Sequence, residues 1–230
     1  MYHSSCVSAK GAHSTQLQHP ELVTVVDSVI TNDALIRIRD RSLLTAQFKG
    51  LCTQIARSLA LYALDTAPTV QMSVQTPQGV VLGEVIDQSS TLLVPVLRAG
   101  QGLLEGFSEL VPNAPVAMVG LRRDEATLRA TWYLDSMPSD LSGVSVYILD
   151  PMLATGGSVG SVAKRAHARD AKEITVVSIL TTAVGIDHLH DQVPAVRVVA
   201  AAIDAGLDDN GYILPGLGDA GDRLHGTLPT

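Results

Sequence analysis

The chain has 230 residues, of which 46% are apolar and 17% charged, and a formal net charge of −7. That suits one sizeable domain with a full hydrophobic core and argues against a nucleic-acid surface, which needs a basic patch. No apolar run approaches the roughly eighteen residues of a membrane span, and the only cysteines, Cys6 and Cys52, lack metal or redox spacing, so a reducing cytoplasm is the expected compartment.

The opening MYHSSCVSAKGAHST lacks the charged-then-apolar architecture of a secretion signal. Residues 1–18 are expected to be a flexible or appended extension, and 19–230 a single domain. From Arg41 to Leu64, Leu44, Phe48, Leu51, Ile55, Leu59 and Tyr62 recur at threes and fours, which predicts a long amphipathic helix with a core-facing stripe. Gln71–Glu84 is richer in Val, Thr and Gly and reads as an antiparallel edge or hairpin. Strands are expected at Leu92–Val96, Val116–Leu121, Val144–Leu149, Ile174–Leu180 and Val196–Ala201. Helices are expected between them, at Gly102–Leu110 and Ser158–Ala171. Arg122–Pro138 is polar without a clean period and reads as a long excursion or flap. His188 and His190 fit a solvated helix end better than a ligand pair. Asp204–Thr230 is glycine-rich and irregular, and such a tail in a compact domain is usually functional. The expected fold is therefore α/β: a doubly wound, mainly parallel sheet flanked by helices, with a flap or hairpin excursion and an irregular C-terminal segment.

The most informative stretch is Val144–Val159, VSVYILDPMLATGGSV. An apolar strand ends on an acid, Asp150. A small turn, Ala154-Thr155-Gly156-Gly157-Ser158, leads into a helical pattern. Glycines let the backbone approach a ligand, and a helix start presents unpaired N–H groups and a positive dipole end to an anion. By itself the turn describes equally an ordinary capped strand-to-helix junction. It is not the nucleoside-triphosphate P-loop, which needs Gly-Lys-Ser/Thr, nor the dinucleotide Gly-x-Gly-x-x-Gly.

Other blocks carry candidate chemistry. In Leu97-Arg98-Ala99-Gly100, Arg98 offers a planar fork of donors suited to a diphosphate; its bland alternative is a surface arginine. Arg122 and Arg123 follow a strand and Arg129 lies nearby; a solvated charge run is the alternative. Because net charge is negative, these cations must act locally on any anionic ligand. Asp219 reads as a site acid or as a structural acid capping the glycine-rich turn, and Tyr212 as a neighbour of the site or a core residue. In an open α/β sheet, ligands collect beyond the carboxyl ends of the strands. The Arg98 loop, the Arg123 loop, the Asp150 loop and the tail after Ile203 all follow strands and should converge there.

Asp150–Ser158, DPMLATGGS, resembles the 5-phosphoribosyl-1-diphosphate (PRPP) loop of type I phosphoribosyltransferases in its uracil phosphoribosyltransferase form. Pro151, where many relatives have a second acid, fits the uracil branch. VPVLRAGQG (Val94–Gly102) is similar to the family's diphosphate loop, VGLRRDEAT (Val119–Thr127) to its mobile arginine loop, and Ile203–Thr227 to its uracil-recognition segment. The resemblance runs from about His19 to Thr227 in four ordered blocks. It implies that 19–230 is one phosphoribosyltransferase domain.

The resemblance also implies site residues. PRPP would be bound by Arg98, Arg123, Asp150, Pro151, Met152, Leu153, Ala154, Thr155, Gly156, Gly157, Ser158 and Asp219. Uracil would be read by Ile213, Gly218, Asp219 and Ala220. Arg98, Arg123, Asp150 and Asp219 would carry catalysis. The implied reaction is uracil plus PRPP giving uridine monophosphate (UMP) and diphosphate in pyrimidine salvage, without a covalent intermediate or dedicated general base. Mg²⁺ is implied as cofactor, held mainly through PRPP and water, and the implied assembly is a homodimer or higher homo-oligomer. Three departures stand out: Leu61-Tyr62-Ala63-Leu64 where many relatives show Thr-Tyr-Glu-Ala, Thr182-Ala183-Val184-Gly185 where Ala-Pro-Glu-Gly is common, and Gln101 in place of an apolar residue. They leave every assigned residue in place but argue against purine-nucleotide activation. Two rival readings are a phosphoribosyltransferase-fold regulator that binds RNA, and an inactive paralogue.

Overall fold

The computed structural model describes residues 17–123 and 130–227, without the side chains of Arg123 and Ala130. In chain order the elements are β1 (Val23–Val25), α1 (Val29–Ile38), α2 (Thr45–Ala63), β2 (Thr69–Thr76), β3 (Gly79–Ile86), β4 (Thr91–Leu97), α3 (Gln101–Ser108), β5 (Val119–Arg123), β6 (Ala130–Asp135), β7 (Ser145–Leu149), β8 (Met152–Leu153), α4 (Gly157–His167), β9 (Glu173–Thr182), α5 (Ala183–Gln192), β10 (Arg197–Asp204), β11 (Gly206–Leu207), β12 (Ile213–Leu214) and α6 (Ala220–His225). The central sheet runs β1-β10-β9-β7-β4-β5-β6, with β8 also on β9. Every pairing in it is parallel except β5 with β6. This is the expected doubly wound α/β sheet.

The strands read as apolar runs because both faces are covered. In β7, Tyr147 and Leu149 face a core shared with α1, α2, α3 and α6, while Val146 and Ile148 face the α4–α5 layer. Strand periodicity of two assigns alternate side chains to the two layers.

Some boundaries differ from expectation. The predicted helix at Arg41–Leu64 starts at Thr45, and a separate α1 precedes it. Helix α1 buries Thr31, Ala34, Leu35 and Ile38, a stripe half made of small or polar residues, so its apolar signal is weak. The strand expected at Val116–Leu121 begins at Val119, with Val116 making only an isolated bridge to Leu93. The Gln71–Glu84 hairpin is present as β2–β3, in register from Thr69↔Ile86 to Thr76↔Gly79. It forms its own two-stranded sheet rather than an edge of the main one. His190 is buried rather than solvated, with its Nε2 at 2.9 Å from the Val196 carbonyl.

Candidate active site

A cavity of about 220 Å³ opens beyond the carboxyl ends of β4, β7 and β10. It is lined by Asp150, Met152 and Ala154 from the acid-led turn and Ala99 from the β4–α3 turn. The tail contributes Gly211, Tyr212, Ile213, Gly218, Asp219, Ala220 and Gly221. Three of the four converging segments therefore meet here. The fourth ends β5: Arg122 is exposed, and the side chain of Arg123 lies outside the described residues, as does Arg129.

Asp150 follows β7 directly. Its Oδ1 accepts the Met152 N–H at 3.2 Å, while its own N–H donates to the Val177 carbonyl at 3.1 Å. Burial pushes its carboxyl up to about 7; the Met152 N–H opposes this, and the charge of neighbouring Asp219 adds to it. Pro151 and Leu153 are buried beneath the loop, against the sheet. Thr155, Gly157 and Ser158 run along the loop rim into α4. Gly156 sits between them at φ 76, the left-handed region that glycine tolerates. A Cβ there would lie 2.6 Å from the Gly185 carbonyl. Among the described residues no side chain caps the α4 start, so its first N–H groups are available to an anion.

The β4–α3 turn is equally tight. A Cβ on Gly100 would stand 2.5 Å from the Val96 nitrogen and 2.7 Å from the Val96 oxygen, so only glycine fits. The Leu97–Arg98 peptide is cis. Arg98 points across to the tail, where its Nη2 meets Asp222 Oδ1 at 3.0 Å.

In the tail, Asp219 lines the cavity while its Oδ1 accepts the Asp222 N–H at 2.8 Å to start α6. Ile213 and Ala220 are buried in the wall; Gly218 has φ 77. Tyr212 is half exposed and lines the cavity, which excludes the core-packing alternative. Arginine contacts with the N-terminal part of the chain hold this segment in place. Arg223 donates to the carbonyls of Leu217 (2.8 Å), Ile38 (2.9 Å) and Asp40, with its guanidinium 4.3 Å over the Phe48 ring. Arg39 grips Asp204 and the Gly216 carbonyl. No local pattern advertises Arg39, because its partner is 165 residues away.

At the flap root, Asp135 of β6 pairs with Arg165 (2.9 Å) and Arg169 (2.6 Å), and Arg165 stacks 3.7 Å over Trp132. These contacts tie β6 to α4 and to the turn that follows it. The cavity lining is thus two carboxylates and backbone of small residues, with Arg98 beside Gly221 and the start of α4 following the Ala154–Gly156 turn.

The family model described as uracil phosphoribosyltransferase matches residues 18–227. A uracil phosphoribosyltransferase of Kocuria rhizophila is 40% identical over 208 residues, covering 90% of this chain and 99% of that one. A uracil phosphoribosyltransferase of Dictyoglomus thermophilum is 40% identical over 207 residues, covering 90% and 100%. A solved structure from Aquifex aeolicus superposes with a TM-score of 0.83 at 27% identity, covering 90% of this chain and 99% of the other.

Proposed function

The chain belongs to the uracil phosphoribosyltransferase family, whose members are pentosyltransferases, and from that premise we propose that it transfers the 5-phosphoribosyl group of PRPP to uracil, giving UMP and diphosphate in pyrimidine salvage. The observation that carries this reading is a cavity lined by Asp150, Asp219, Ile213, Gly218 and Ala220, with the start of α4 following the Ala154–Gly156 turn. In this proposal 19–230 acts as one phosphoribosyltransferase domain.

The 5-phosphate lies in the turn Ala154–Ser158, against backbone N–H groups, the hydroxyls of Thr155 and Ser158, and the positive end of α4. Asp150 accepts from the ribose hydroxyls. Arg98 and Arg123 hold the diphosphate. Uracil's edge alternates carbonyl acceptors with an N–H donor, and the backbone amides and carbonyls of Ile213, Gly218, Asp219 and Ala220 read that pattern without charged side chains. Cytosine would set donor against donor and be rejected strongly. As the anomeric C–O bond to diphosphate breaks, the C–N bond to uracil forms through an oxocarbenium-like state, and the ring N–H proton leaves to solvent. Positioning, leaving-group stabilisation and exclusion of water supply the rate. No side chain is assigned as general base, and no covalent intermediate is formed.

The donor set fits Mg²⁺. Asp150 and Asp219 are hard oxygen donors on one cavity. Among the described residues no three His, Cys, Asp or Glu side chains converge on a metal position. An ion held there would therefore take most of its oxygens from PRPP and water, with the two aspartates holding those waters. When bound, it neutralises the diphosphate and makes it a better leaving group.

The hairpin supports a homodimer or higher homo-oligomer. Val70, Met72 and Val74 share one face of it with Val81, and all four are about half exposed. Among the described residues β2 and β3 pair only with each other, and an isolated hairpin is marginal in water. A partner that is neither membrane nor nucleic acid fits the charge of −7, and no helix among the described residues is long and apolar enough to cross a membrane. A cytoplasmic location fits the cysteine usage.

The test is direct. The purified protein is incubated with uracil, PRPP and Mg²⁺ and nucleotide products are separated, with cytosine, adenine and hypoxanthine in parallel. UMP from uracil alone is expected. Product with another base and none with uracil would overturn the substrate assignment, and no product with any base would favour the inactive paralogue.

A further inference from the structure

Helix α5 packs directly behind the Ala154–Ser158 turn. Its N-cap and first residues, Thr182-Ala183-Val184-Gly185, are where this chain departs from the Ala-Pro-Glu-Gly common among relatives. Thr182 is buried, and its hydroxyl does two things. It accepts the Gly185 N–H at 2.9 Å, capping α5, and donates to the Ala154 carbonyl at 2.7 Å. One turn and a half along the helix, His188 Nδ1 lies 2.7 Å from the Thr155 carbonyl. Two consecutive carbonyls of the turn are thus held from the same side by two side chains of one helix. Gly185 allows this approach, since a Cβ there would stand 2.8 Å from the Leu153 carbonyl.

Peptide planarity gives these contacts a consequence. In a trans peptide the C=O and the following N–H point in opposite directions. Fixing the Ala154 carbonyl toward Thr182 turns the Thr155 N–H away from α5. Fixing the Thr155 carbonyl toward His188 does the same for the Gly156 N–H. Among the described residues neither amide donates to the backbone or to a side chain. Both are therefore oriented and unspent, ahead of the free start of α4. Preorganised donors of this kind bind an anion without a reorganisation cost at the moment of binding.

We propose that Thr182 and His188 are positioning residues for the 5-phosphate of PRPP: they hold two carbonyls of the turn so that the Thr155 and Gly156 amides face the phosphate. The inference rests on the phosphoribosyl transfer proposed above, but its subject is this chain's own brace. Neither side chain touches substrate. In a chain with Ala at position 182 and a short side chain at 188, the turn would rely on its own backbone alone.

The test compares wild type with Thr182→Val, Thr182→Ser and His188→Ala. Inhibition constants are measured for ribose 5-phosphate, which carries only the 5-phosphate end, and for diphosphate, which carries only the other end. Losing one of these hydrogen bonds should cost about tenfold in ribose 5-phosphate affinity and PRPP KM, while diphosphate inhibition and uracil KM stay within about twofold. Thr182→Ser keeps the hydroxyl and should restore wild-type values. Thr182→Val also removes a helix cap and can lower the folded fraction; His188→Ala, at an exposed position, does not, and it alone decides the matter if the valine variant does not fold. Equal losses for ribose 5-phosphate and diphosphate, or no change in either, would overturn the proposal. Wild-type protein that binds ribose 5-phosphate by calorimetry yet makes no UMP would sink the transfer reading and leave this one standing.

Discussion

Arg39 holds Asp204 with both terminal nitrogens, at 2.8 and 2.7 Å, and spends a further bond of 2.8 Å on the Gly216 carbonyl. The same Asp204 accepts the Gly216 N–H at 2.9 Å, so one carboxylate closes the loop that contains Ile213 and ends two residues before Gly218. The pair is largely buried, with side chains 19% and 6% exposed. Removing one partner of a buried pair strands the other charge, at about 3 kcal/mol. Arg39→Met should therefore lower urea-unfolding stability by that order and raise uracil KM more than PRPP KM. An unchanged uracil KM in a folded variant would show that the pair does not hold the base segment.

Arg98 makes the opposite case. Its ion pair with Asp222 is 54% and 24% exposed, and exposed pairs contribute roughly 0–1 kcal/mol. Arg98→Ala should leave the unfolding transition almost unmoved. If Arg98 holds the diphosphate, kcat/KM for PRPP should fall about 100-fold, the cost of one charge-assisted donor in a transition state. Steady-state kinetics at saturating uracil separates the two effects, and unchanged kinetics would refute the role.

How much of this was legible in the sequence follows from how local each signal is. Strand β7, its terminal Asp150 and the glycine turn form one continuous stretch, so periodicity and turn chemistry exposed them together. The convergence of the Ala99 turn, the Asp150 loop and the tail followed from strand order alone. Arg39, Arg223 and His188 could not be read that way, because each acts on backbone carbonyls far along the chain. Thr182 could have been read: a threonine between an apolar strand and a helix is a capping signal. Helix α1 was hidden by a stripe that includes Thr31 and Ala34. Asp219 carried two sequence readings; the structure shows it capping α6 and lining the cavity.

The hairpin face offers a test of assembly. Val74 and Val81 are cross-strand partners, and each is about half exposed. If a second copy covers this face, the wild-type protein should sediment as a dimer or larger. Val74→Asp with Val81→Asp should then shift it toward the monomer, because like charges placed opposite one another and buried at an interface are strongly unfavourable. A wild-type monomer at micromolar concentration would end the idea.

Gly156 tests the turn itself. At φ 76, with the Gly185 carbonyl 2.6 Å from any added Cβ, Gly156→Ala meets both backbone strain and a clash with rigid backbone. The left-handed conformation alone costs about 1–2 kcal/mol, and the clash must be relieved by moving the turn or α5. PRPP affinity should fall well beyond what the stability loss explains, which titration of the folded variant with PRPP would reveal. Retained affinity would mean that the turn is not the phosphate site.

Asp150 should make both activity and stability depend on pH. Its folded-state pKa, about 7, lies above its ordinary 3.8. Between those values the folded protein keeps a proton that the unfolded chain releases, so Asp150's contribution to stability is complete below the unfolded value and is lost as pH rises through about 7. Above that pH the protein carries a partly desolvated carboxylate, which is the form that can accept from ribose hydroxyls. Function and stability therefore want opposite protonation states. The kcat/KM for PRPP should drop as pH falls below about 7, the free-enzyme value. Asp150→Asn, permanently neutral, should unfold at a temperature higher than wild type by roughly 5 °C at pH 8, with the gap shrinking toward pH 5, and should turn over poorly at every pH. Calorimetry across that range decides it: a gap that stays constant, or widens in acid, would mean that the Asp150 carboxyl does not titrate near 7.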